Sequence, residues 1–303
     1  DYLLNKNKVD ILIGEGRISG SGRVIVKNDS KESLYNTSNI ILATGARPKI
    51  VKGLEHDNKH IWSYKDAMIP EKKPESLLVI GAGAIGIEFA SFYNDFGSEV
   101  TVIESQNEIL PSEDLEVSLF AKKCFEQDKI KILTSTTMKN VKSTKFGVEA
   151  EFIDKNGEKH KLKYSRAIVA IGIDANIENL GLDTVNIKQD GGMILTDNNN
   201  ETSEKGIFAI GDLTGAPWLA HKASHEGINA VDYISNPNRS NKHNKIIPGC
   251  TYSRPQIASI GLTEEKAIAK GIKIKKGKFP LLGNGKAISL GYSDGFIKTI
   301  FNA

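Results

Sequence analysis

A glycine-rich turn between a predicted strand and a predicted helix constrains this chain most. Residues 78–88 read Leu-Val-Ile-Gly-Ala-Gly-Ala-Ile-Gly-Ile-Glu and lie well inside a chain of 303 residues. The continuous apolar segment Leu77–Ile80 predicts a strand buried on both faces of a parallel sheet. The apolar spacing over Ala84–Phe96 predicts a helix that ends at Gly97. A strand, a Gly-rich turn and a helix in this order are typical of a dinucleotide-binding unit.

The three glycines of this turn have different steric roles. Gly81 permits the tight turn, Gly83 lets the backbone approach a pyrophosphate, and Gly86 allows the helix to pack closely on the strand. The helix N-terminus would face the phosphates with free N–H groups and the positive end of its dipole. Glu104 follows the next predicted strand, Val100–Ile103, where an acid accepts ribose hydroxyls and repels a 2′-phosphate. The pattern predicts an NAD site rather than an NADP site, with a ligand-free βα turn as the alternative.

Composition excludes several classes of protein. The hydrophobic share of 39% and the charged share of 25% are ordinary for globular chains, and the length suffices for about two domains. The net charge is only +3 and both signs are interspersed, so we expect neither nucleic-acid nor membrane binding. No apolar run approaches the length that spans a bilayer.

Cysteine and histidine usage argues against disulfides and metal sites. Cys124 and Cys250 are far apart and in no paired motif, which predicts small hydrophobic roles in a reducing, cytoplasmic compartment. No metal site is expected, because the histidines of polar stretches lack ligand spacing; these are His56, His60, His160, His225 and His243.

A second nucleotide unit is predicted on both sides of the first. Ala43-Thr44-Gly45-Ala46 and Ile207–Asp212 are strand ends followed by glycine or by glycine and an acid. Together they indicate one domain interrupted by the NAD domain. Asp212 could bind a polyol hydroxyl such as the ribityl chain of a flavin, and the alternative is a helix cap or turn residue.

Periodicity and turn residues predict the remaining elements. The other strands are expected over Val9–Ile13, Arg23–Lys27, Ser38–Thr44, Lys131–Leu133, Val148–Ile153, Lys159–Tyr164, Arg166–Ile171, Gly206–Ile210, Gln256–Ile260 and Phe296–Phe301. The other helices are expected over Asp114–Gln127, His225–Ile234 and Thr263–Lys270. Ala67–Pro74 and Pro237–Lys245 are predicted linkers.

These residues resemble the flavoprotein pyridine nucleotide-disulfide oxidoreductases, and within them most closely the dihydrolipoamide dehydrogenases. Leu-Ala-His-Lys-Ala at 219–223 and Ile-Leu-Pro at 109–111 favour that group over glutathione and mercuric reductases. The matching stretches run across nearly the whole chain: Ile41–Arg47, Leu78–Phe92, Thr101–Asp114, Ala167–Gly172, Asn176–Leu182, Gly206–Asp212, Trp218–Gly227 and Ile247–Thr263.

The resemblance implies an α/β fold with two Rossmann-like dinucleotide-binding domains and the start of an α+β dimer-interface domain. The second part of the FAD domain would be residues 1–69 and its returning segment 193–245. The NAD domain would be 70–192, and the interface domain would begin at 246 and be truncated at 303.

The resemblance also implies cofactor contacts. FAD would be contacted by Gly16, Thr44, Gly45, Ala46, Asp212, Trp218, Leu219, Ala220 and His221. NAD would be contacted by Gly81, Ala82, Gly83, Ala84, Ile85, Gly86, Ile87, Glu88, Glu104 and Gly172, with Glu88 near the nicotinamide carboxamide. The family's usual Gly-Arg-x-Pro-Asn is Gly-Ile-Asp-Ala-Asn at 172–176, which removes an arginine but not the backbone contact of Gly172.

The implied activity is oxidation of dihydrolipoyl groups by NAD⁺, in a homodimer that serves the lipoyl-bearing acyltransferase of 2-oxo acid dehydrogenase complexes. We expect an internal fragment that is inactive alone, because the family's first flavin turn, redox Cys pair and terminal His-Glu pair are absent. His221 and Glu226 have the offset of that pair but the wrong context, so no catalytic residue is assigned. The alternatives are an NADH-dependent flavoprotein oxidase or reductase without the disulfide, and a non-catalytic NAD-binding remnant.

Overall fold

The computed structural model describes residues 2–29, 31–238 and 246–303. His243 and most of the linker predicted over Pro237–Lys245 lie outside these residues. The chain divides into two compact units, unit 1 (Asp1–Arg47 with Ile173–Ile247) and unit 2 (Pro48–Gly172 with Pro248–Ala303). The domain boundaries predicted from the sequence, after residues 69, 192 and 245, differ from the boundaries of these two units and remain a prediction. Within the described residues, no helix has the length and apolar character needed to cross a membrane.

Short helices and strands alternate along the described residues, and both are numbered in chain order. The α-helices are Tyr2–Lys6 (α1), Tyr64–Met68 (α2), Ala84–Asp95 (α3), Leu115–Gln127 (α4), Ala220–Ser235 (α5), Glu264–Ala269 (α6) and Gly285–Ser289 (α7). The strands are Glu15–Ile18 (β1), Arg23–Asn28 (β2), Lys31–Asn36 (β3), Ile40–Leu42 (β4), Ala46–Pro48 (β5), Ile61–Trp62 (β6), Ser76–Ile80 (β7), Glu99–Ile103 (β8), Lys131–Leu133 (β9), Thr137–Ser143 (β10), Val148–Ile153 (β11), Lys159–Tyr164 (β12), Arg166–Val169 (β13), Ile173–Ala175 (β14), Gln189–Asp190 (β15), Met193–Ile194 (β16), Ile207–Ala209 (β17), Gly249–Thr251 (β18), Ile257–Ser259 (β19), Ile274–Pro280 (β20) and Phe296–Asn302 (β21). Short 3₁₀ turns occupy Leu182–Thr184, Gly211–Thr214 and Leu281–Gly283.

Unit 1 joins two distant parts of the sequence through a parallel strand pair. β4 and β17 pair in register, with Ile40 opposite Ile207 and Leu42 opposite Ala209. The antiparallel sheet β1-β2-β3 contributes Ile18 to the same buried cluster as these residues. The strand ends that carry Thr44 and Gly211 are therefore neighbours, as the interrupted-domain interpretation requires.

Unit 2 is built on a five-stranded parallel sheet of order β6-β13-β7-β8-β9. Its central strand β7 is buried, and alternate residues point to opposite faces. Leu77 and Val79 pack in one buried cluster with α3 and α4, and Leu78 and Ile80 pack in another with the antiparallel sheet β10-β11-β12. Burial on both faces explains why the strand reads as a continuous apolar run.

The C-terminal part of unit 2 is tied to α4 by a buried charge cluster. The hairpin β20-β21 carries Lys298, whose side chain is only 7% exposed. Its Nζ lies 2.8 Å from Asp114 Oδ1 and 2.6 Å from Glu264 Oε2, at the N-terminal ends of α4 and α6. Asp114 also accepts hydrogen bonds from the backbone N–H groups of Glu116 and Glu264. One ammonium therefore holds two helix starts and a strand together.

Most predicted elements are present with ends shifted by a few residues, but Val9–Ile13 is not a strand. Pairing of this segment begins at Glu15, which lies opposite Lys27, and the apolar side chains before it are exposed. The apolar alternation predicted a buried strand. In the structure, residues 9–13 precede the first residue pair between β1 and β2, so they have no partner strand there. Helix α5 begins at Ala220 rather than at His225.

Candidate dinucleotide sites

The turn after β7 in unit 2 leaves no room for side chains at two of its glycines. Gly81 has φ of +100°, and a Cβ there would lie 2.4 Å from the carbonyl oxygen of Ala170 on the neighbouring strand end. A Cβ on Gly86 would lie 2.0 Å from the carbonyl oxygen of Gly81. Both distances are far below van der Waals contact, so this backbone conformation requires glycine at positions 81 and 86.

Gly83 is different because its missing side chain leaves open space. No atom of the described residues lies within 4 Å of a Cβ built on Gly83. Gly83 is also the N-cap of α3, and no side chain caps this helix end. An open backbone surface beside free helix N–H groups suits a phosphate. The residues present therefore fit the pyrophosphate of a dinucleotide.

Glu104 lies where the sequence predicts it, and it also contacts the turn. It follows β8 and is 7% exposed. One carboxylate oxygen accepts a hydrogen bond from the N–H of Ala82 at 2.7 Å, and the other accepts from the N–H of Gln106 at 2.8 Å. The contact with Ala82 was not predicted. This hydrogen bond holds the Glu104 carboxylate beside the glycine-rich turn, so the predicted ribose-binding acid and the predicted pyrophosphate-binding turn lie next to each other.

The other predicted NAD contacts occupy the first turns of α3 and the end of the sheet. Ala84 and Ile85 are exposed, whereas Ala82 and Ile87 are buried in the core of unit 2. Glu88 is half-buried, and its Oε1 accepts a hydrogen bond from the backbone N–H of Tyr252 at 2.8 Å. Gly172 has φ of +116° and open space around its missing side chain.

In unit 1, Thr44 and Gly45 are held by Asn176. The Thr44 hydroxyl donates to the Asn176 carbonyl at 2.6 Å, and the Asn176 side-chain amide donates to the Thr44 carbonyl at 2.9 Å. The N–H of Asn176 donates to the Gly45 carbonyl. Ala46 begins β5, and Gly16 lies in β1 opposite Val26. The altered segment 172–176 therefore retains a structural role for its asparagine.

The turn that carries Asp212 is stabilised by an ion pair that sequence reasoning missed. Gly211 has φ of +79°, its N–H donates to Glu226 Oε2 at 2.7 Å, and its carbonyl accepts from Lys222 Nζ at 3.1 Å. Lys222 is 7% exposed, and its Nζ lies 2.9 Å from Glu226 Oε1. The Lys-Glu spacing of four residues on a helix was the available signal. Glu226, noted in the sequence for its offset from His221, thus contacts the backbone that presents Asp212.

The segment 218–221 forms the start of α5. Trp218 is exposed, Leu219 is the N-cap residue, and no side chain caps the helix that begins at Ala220. His221 is half-buried in the first turn. Free N–H groups at the start of a long helix can bind carbonyl or anionic groups of a ligand.

A complete βα dinucleotide turn with its acid, inserted between two paired segments of a second α/β unit, is the architecture of a two-dinucleotide oxidoreductase. A family model for pyridine nucleotide-disulphide oxidoreductases matches residues 1–227, and the model for the dimerisation domain of these enzymes matches residues 247–303. The chain belongs to the pyridine nucleotide-disulphide oxidoreductase family, which confirms the resemblance and the fold class expected from the sequence.

Curated relatives are named dihydrolipoyl dehydrogenase. The Zymomonas mobilis protein is 48% identical over 99% of this chain and 65% of its own length. The Rhizobium etli protein is 42% identical over 99% of this chain and 66% of its own length. The Chlorobaculum parvum protein is 40% identical over 100% of this chain and 65% of its own length. The chain thus spans about 65% of the length of the relatives it matches.

Solved structures share the fold. LpdA from Mycobacterium tuberculosis superposes with a TM-score of 0.89 at 26% identity, covering 100% of this chain and 67% of LpdA. The HOCl-induced flavoprotein disulfide reductase RclA from Escherichia coli, solved as a Cu(II) complex, has a TM-score of 0.85 at 20% identity. The match covers 99% of this chain and 70% of RclA. At that identity the second likeness supports the fold alone.

Proposed function

We propose that this chain supplies the NAD-binding half and part of the FAD-binding half of a dihydrolipoyl dehydrogenase. The observation that carries the proposal is the open, uncapped turn at Gly83 with Glu104 bonded to it. Relatives named dihydrolipoyl dehydrogenase at 34–48% identity support the choice of substrate. The reaction of the complete protein is oxidation of dihydrolipoyl groups by NAD⁺.

The NAD end is assigned to unit 2. Gly83 and the first N–H groups of α3 would hold the pyrophosphate, Glu104 would accept the adenosine ribose hydroxyls, and Glu88 would lie at the nicotinamide. The backbone at Gly172 would also contact NAD. Glycine at position 83 keeps the space beside the helix N–H groups free of a side chain.

The flavin end is assigned to unit 1. Asp212 would accept the ribityl hydroxyls, the N–H groups at the start of α5 would face the pyrimidine, and Thr44 to Ala46 would line the same cofactor. The Lys222–Glu226 pair holds the turn that presents Asp212. When both cofactors are bound, they supply hydride transfer between flavin and nicotinamide.

The partners follow from the same assignment. We propose a homodimer of the complete protein, since residues 247–303 match a dimerisation domain. We also propose that its substrate is the dihydrolipoyl group carried by the acyltransferase of a 2-oxo acid dehydrogenase complex. Low cysteine usage favours a cytoplasmic location.

We expect different results for the complete gene product and for these 303 residues. The complete protein should reduce NAD⁺ with dihydrolipoamide, as followed by NADH absorbance. The 303-residue chain should bind NADH but show no such turnover, because its only cysteines, Cys124 and Cys250, are unpaired and far apart in sequence. A complete, flavin-loaded protein that shows no reduction of NAD⁺ by dihydrolipoamide would contradict the assignment.

Glu104 should set the choice between NAD⁺ and NADP⁺. Glu104→Gln removes the negative charge that repels a 2′-phosphate and one acceptor for the ribose. We expect the ratio of NADP⁺ to NAD⁺ dissociation constants to fall about tenfold. Calorimetric titration of both nucleotides into wild type and variant measures this ratio, and Glu99→Gln, the same change at an exposed residue of β8, is the matched control. An unchanged ratio in Glu104→Gln would assign Glu104 to turn stability only.

A further inference from the structure

The segment that follows β18 lies along one face of α3 and contacts it at three points. We call Tyr252–Arg254 the strap. The backbone N–H of Tyr252 donates to Glu88 Oε1 at 2.8 Å, and that of Arg254 donates to Ser91 Oγ at 2.9 Å. The guanidinium of Arg254 lies 2.7 Å from Asp95 Oδ1. All three acceptors belong to α3.

The spacing of these acceptors makes the contact specific. Glu88, Ser91 and Asp95 stand at positions i, i+3 and i+7, which lie on one face of a helix. Ser91 is buried, whereas the side chain of Tyr252 is 74% exposed. The contact with Glu88 is therefore made by the backbone of the strap, and the tyrosine side chain takes no part in it.

The same carboxylate is the one assigned to the nicotinamide. A half-buried glutamate on a helix has several accessible rotamers, and ordering it on ligand binding costs free energy. A hydrogen bond from Tyr252 to one oxygen selects a rotamer beforehand and leaves the second oxygen for a ligand.

We propose that the strap is a positioning element for the NAD site: the backbone N–H of Tyr252 pre-orients Glu88 for the nicotinamide end of the cofactor. This inference rests on the proposed function. It assigns the dimerisation segment a part in nucleotide binding through Glu88, since the strap lies within the residues matched by that domain. Arg254 is an anchor of the strap, through Asp95 and, at 3.5 Å, Asp128.

Tyr252→Pro tests the inference because it removes the N–H donor itself. Residue 251 is the last residue of an extended strand, the conformation preferred before proline. Tyr252→Ala is the matched control, since it removes the exposed side chain and keeps the donor. Ser91→Ala is a second variant, which frees the strap at its other backbone contact.

The readout is the ratio of affinities for NADH and ADP-ribose, measured on the 303-residue chain. ADP-ribose lacks the nicotinamide, and a ratio does not depend on the folded fraction of the sample. We expect Tyr252→Pro to lower NADH affinity about tenfold relative to ADP-ribose, Ser91→Ala to lower it in the same direction, and Tyr252→Ala to leave the ratio unchanged.

Equal losses for both ligands, or an unchanged ratio in Tyr252→Pro and Ser91→Ala, would overturn the positioning role and leave the NAD site intact. A wild-type chain that binds neither ligand would instead contradict the proposed function. If Tyr252→Pro does not fold, the Ser91→Ala ratio decides the question.

Discussion

Gly83→Ala should lower NAD⁺ affinity by about 30-fold or more and leave folding almost unchanged. Apart from its two chain neighbours, no described residue has an atom within 4 Å of a methyl group at this position, and φ of Gly83 is −71°, which alanine adopts freely. The methyl would occupy the space assigned to the pyrophosphate. Loss of a good N-cap residue costs about 1 kcal/mol or less. Calorimetric titration with NAD⁺ and urea unfolding measure the two effects on the same sample.

Gly86→Ala is the matched comparison in the same turn. Its methyl would lie 2.0 Å from the Gly81 carbonyl oxygen, so the backbone must move. We expect a loss of about 3 kcal/mol in the free energy of unfolding of unit 2. If Gly83→Ala lost stability and Gly86→Ala did not, the division of roles within the turn would be wrong.

Lys298→Met should destabilise unit 2 by roughly 3 kcal/mol, because it leaves the buried carboxylate of Asp114 without its ammonium partner, whereas Glu264 keeps Lys276. Lys161→Met is the control, since Lys161 is half-exposed and pairs with Glu149 and Glu151 at the surface. Pairs of that kind contribute about 1 kcal/mol or less. Urea unfolding of the two variants measures the difference. Equal effects would show that burial of Lys298 does not matter.

The same cluster predicts a pH dependence. Burial opposes ionisation of Asp114, but Lys298 and two backbone N–H groups outweigh it and hold the pKa of Asp114 below its usual range. A lowered pKa stabilises the fold above the ordinary pKa of the acid, and this stabilisation is lost as pH falls through the folded value. The pKa of Lys298 is raised, so alkaline pH removes its contribution only above the ordinary lysine range. Wild type should therefore lose more stability than Lys298→Met as the pH falls below the ordinary pKa of aspartate towards the lowered pKa of Asp114.

Regular elements with strong periodicity were predictable from the sequence. The strands Lys131–Leu133, Val148–Ile153 and Lys159–Tyr164 have the predicted ends, and α3 begins at the predicted Ala84. β11 and β12 pair with each other across a short turn, and β9 pairs with β8, the preceding strand of the chain. The strand predicted at Val9–Ile13 was wrong because register depends on the partner strand, and apolar alternation carries no information about the partner.

Of the candidate site, only the residues that belong to a local sequence motif were predictable. Glycine spacing and the acid at Glu104 follow from a local βα motif. The contacts Glu104–Ala82, Lys222–Glu226 and Tyr252–Glu88 depend on side-chain rotamers or on a segment distant in sequence. The strap in particular contacts Glu88 and Ser91 through backbone N–H groups, which the residue types at these positions do not reveal.

We propose that the NAD site is complete within these residues. Equilibrium titration of NADH into the 303-residue chain, followed by nucleotide fluorescence, tests this proposal. We predict one saturable site per chain, with weaker binding of NADPH. Absence of saturable binding by a folded chain, or a preference for NADPH, would contradict the claim.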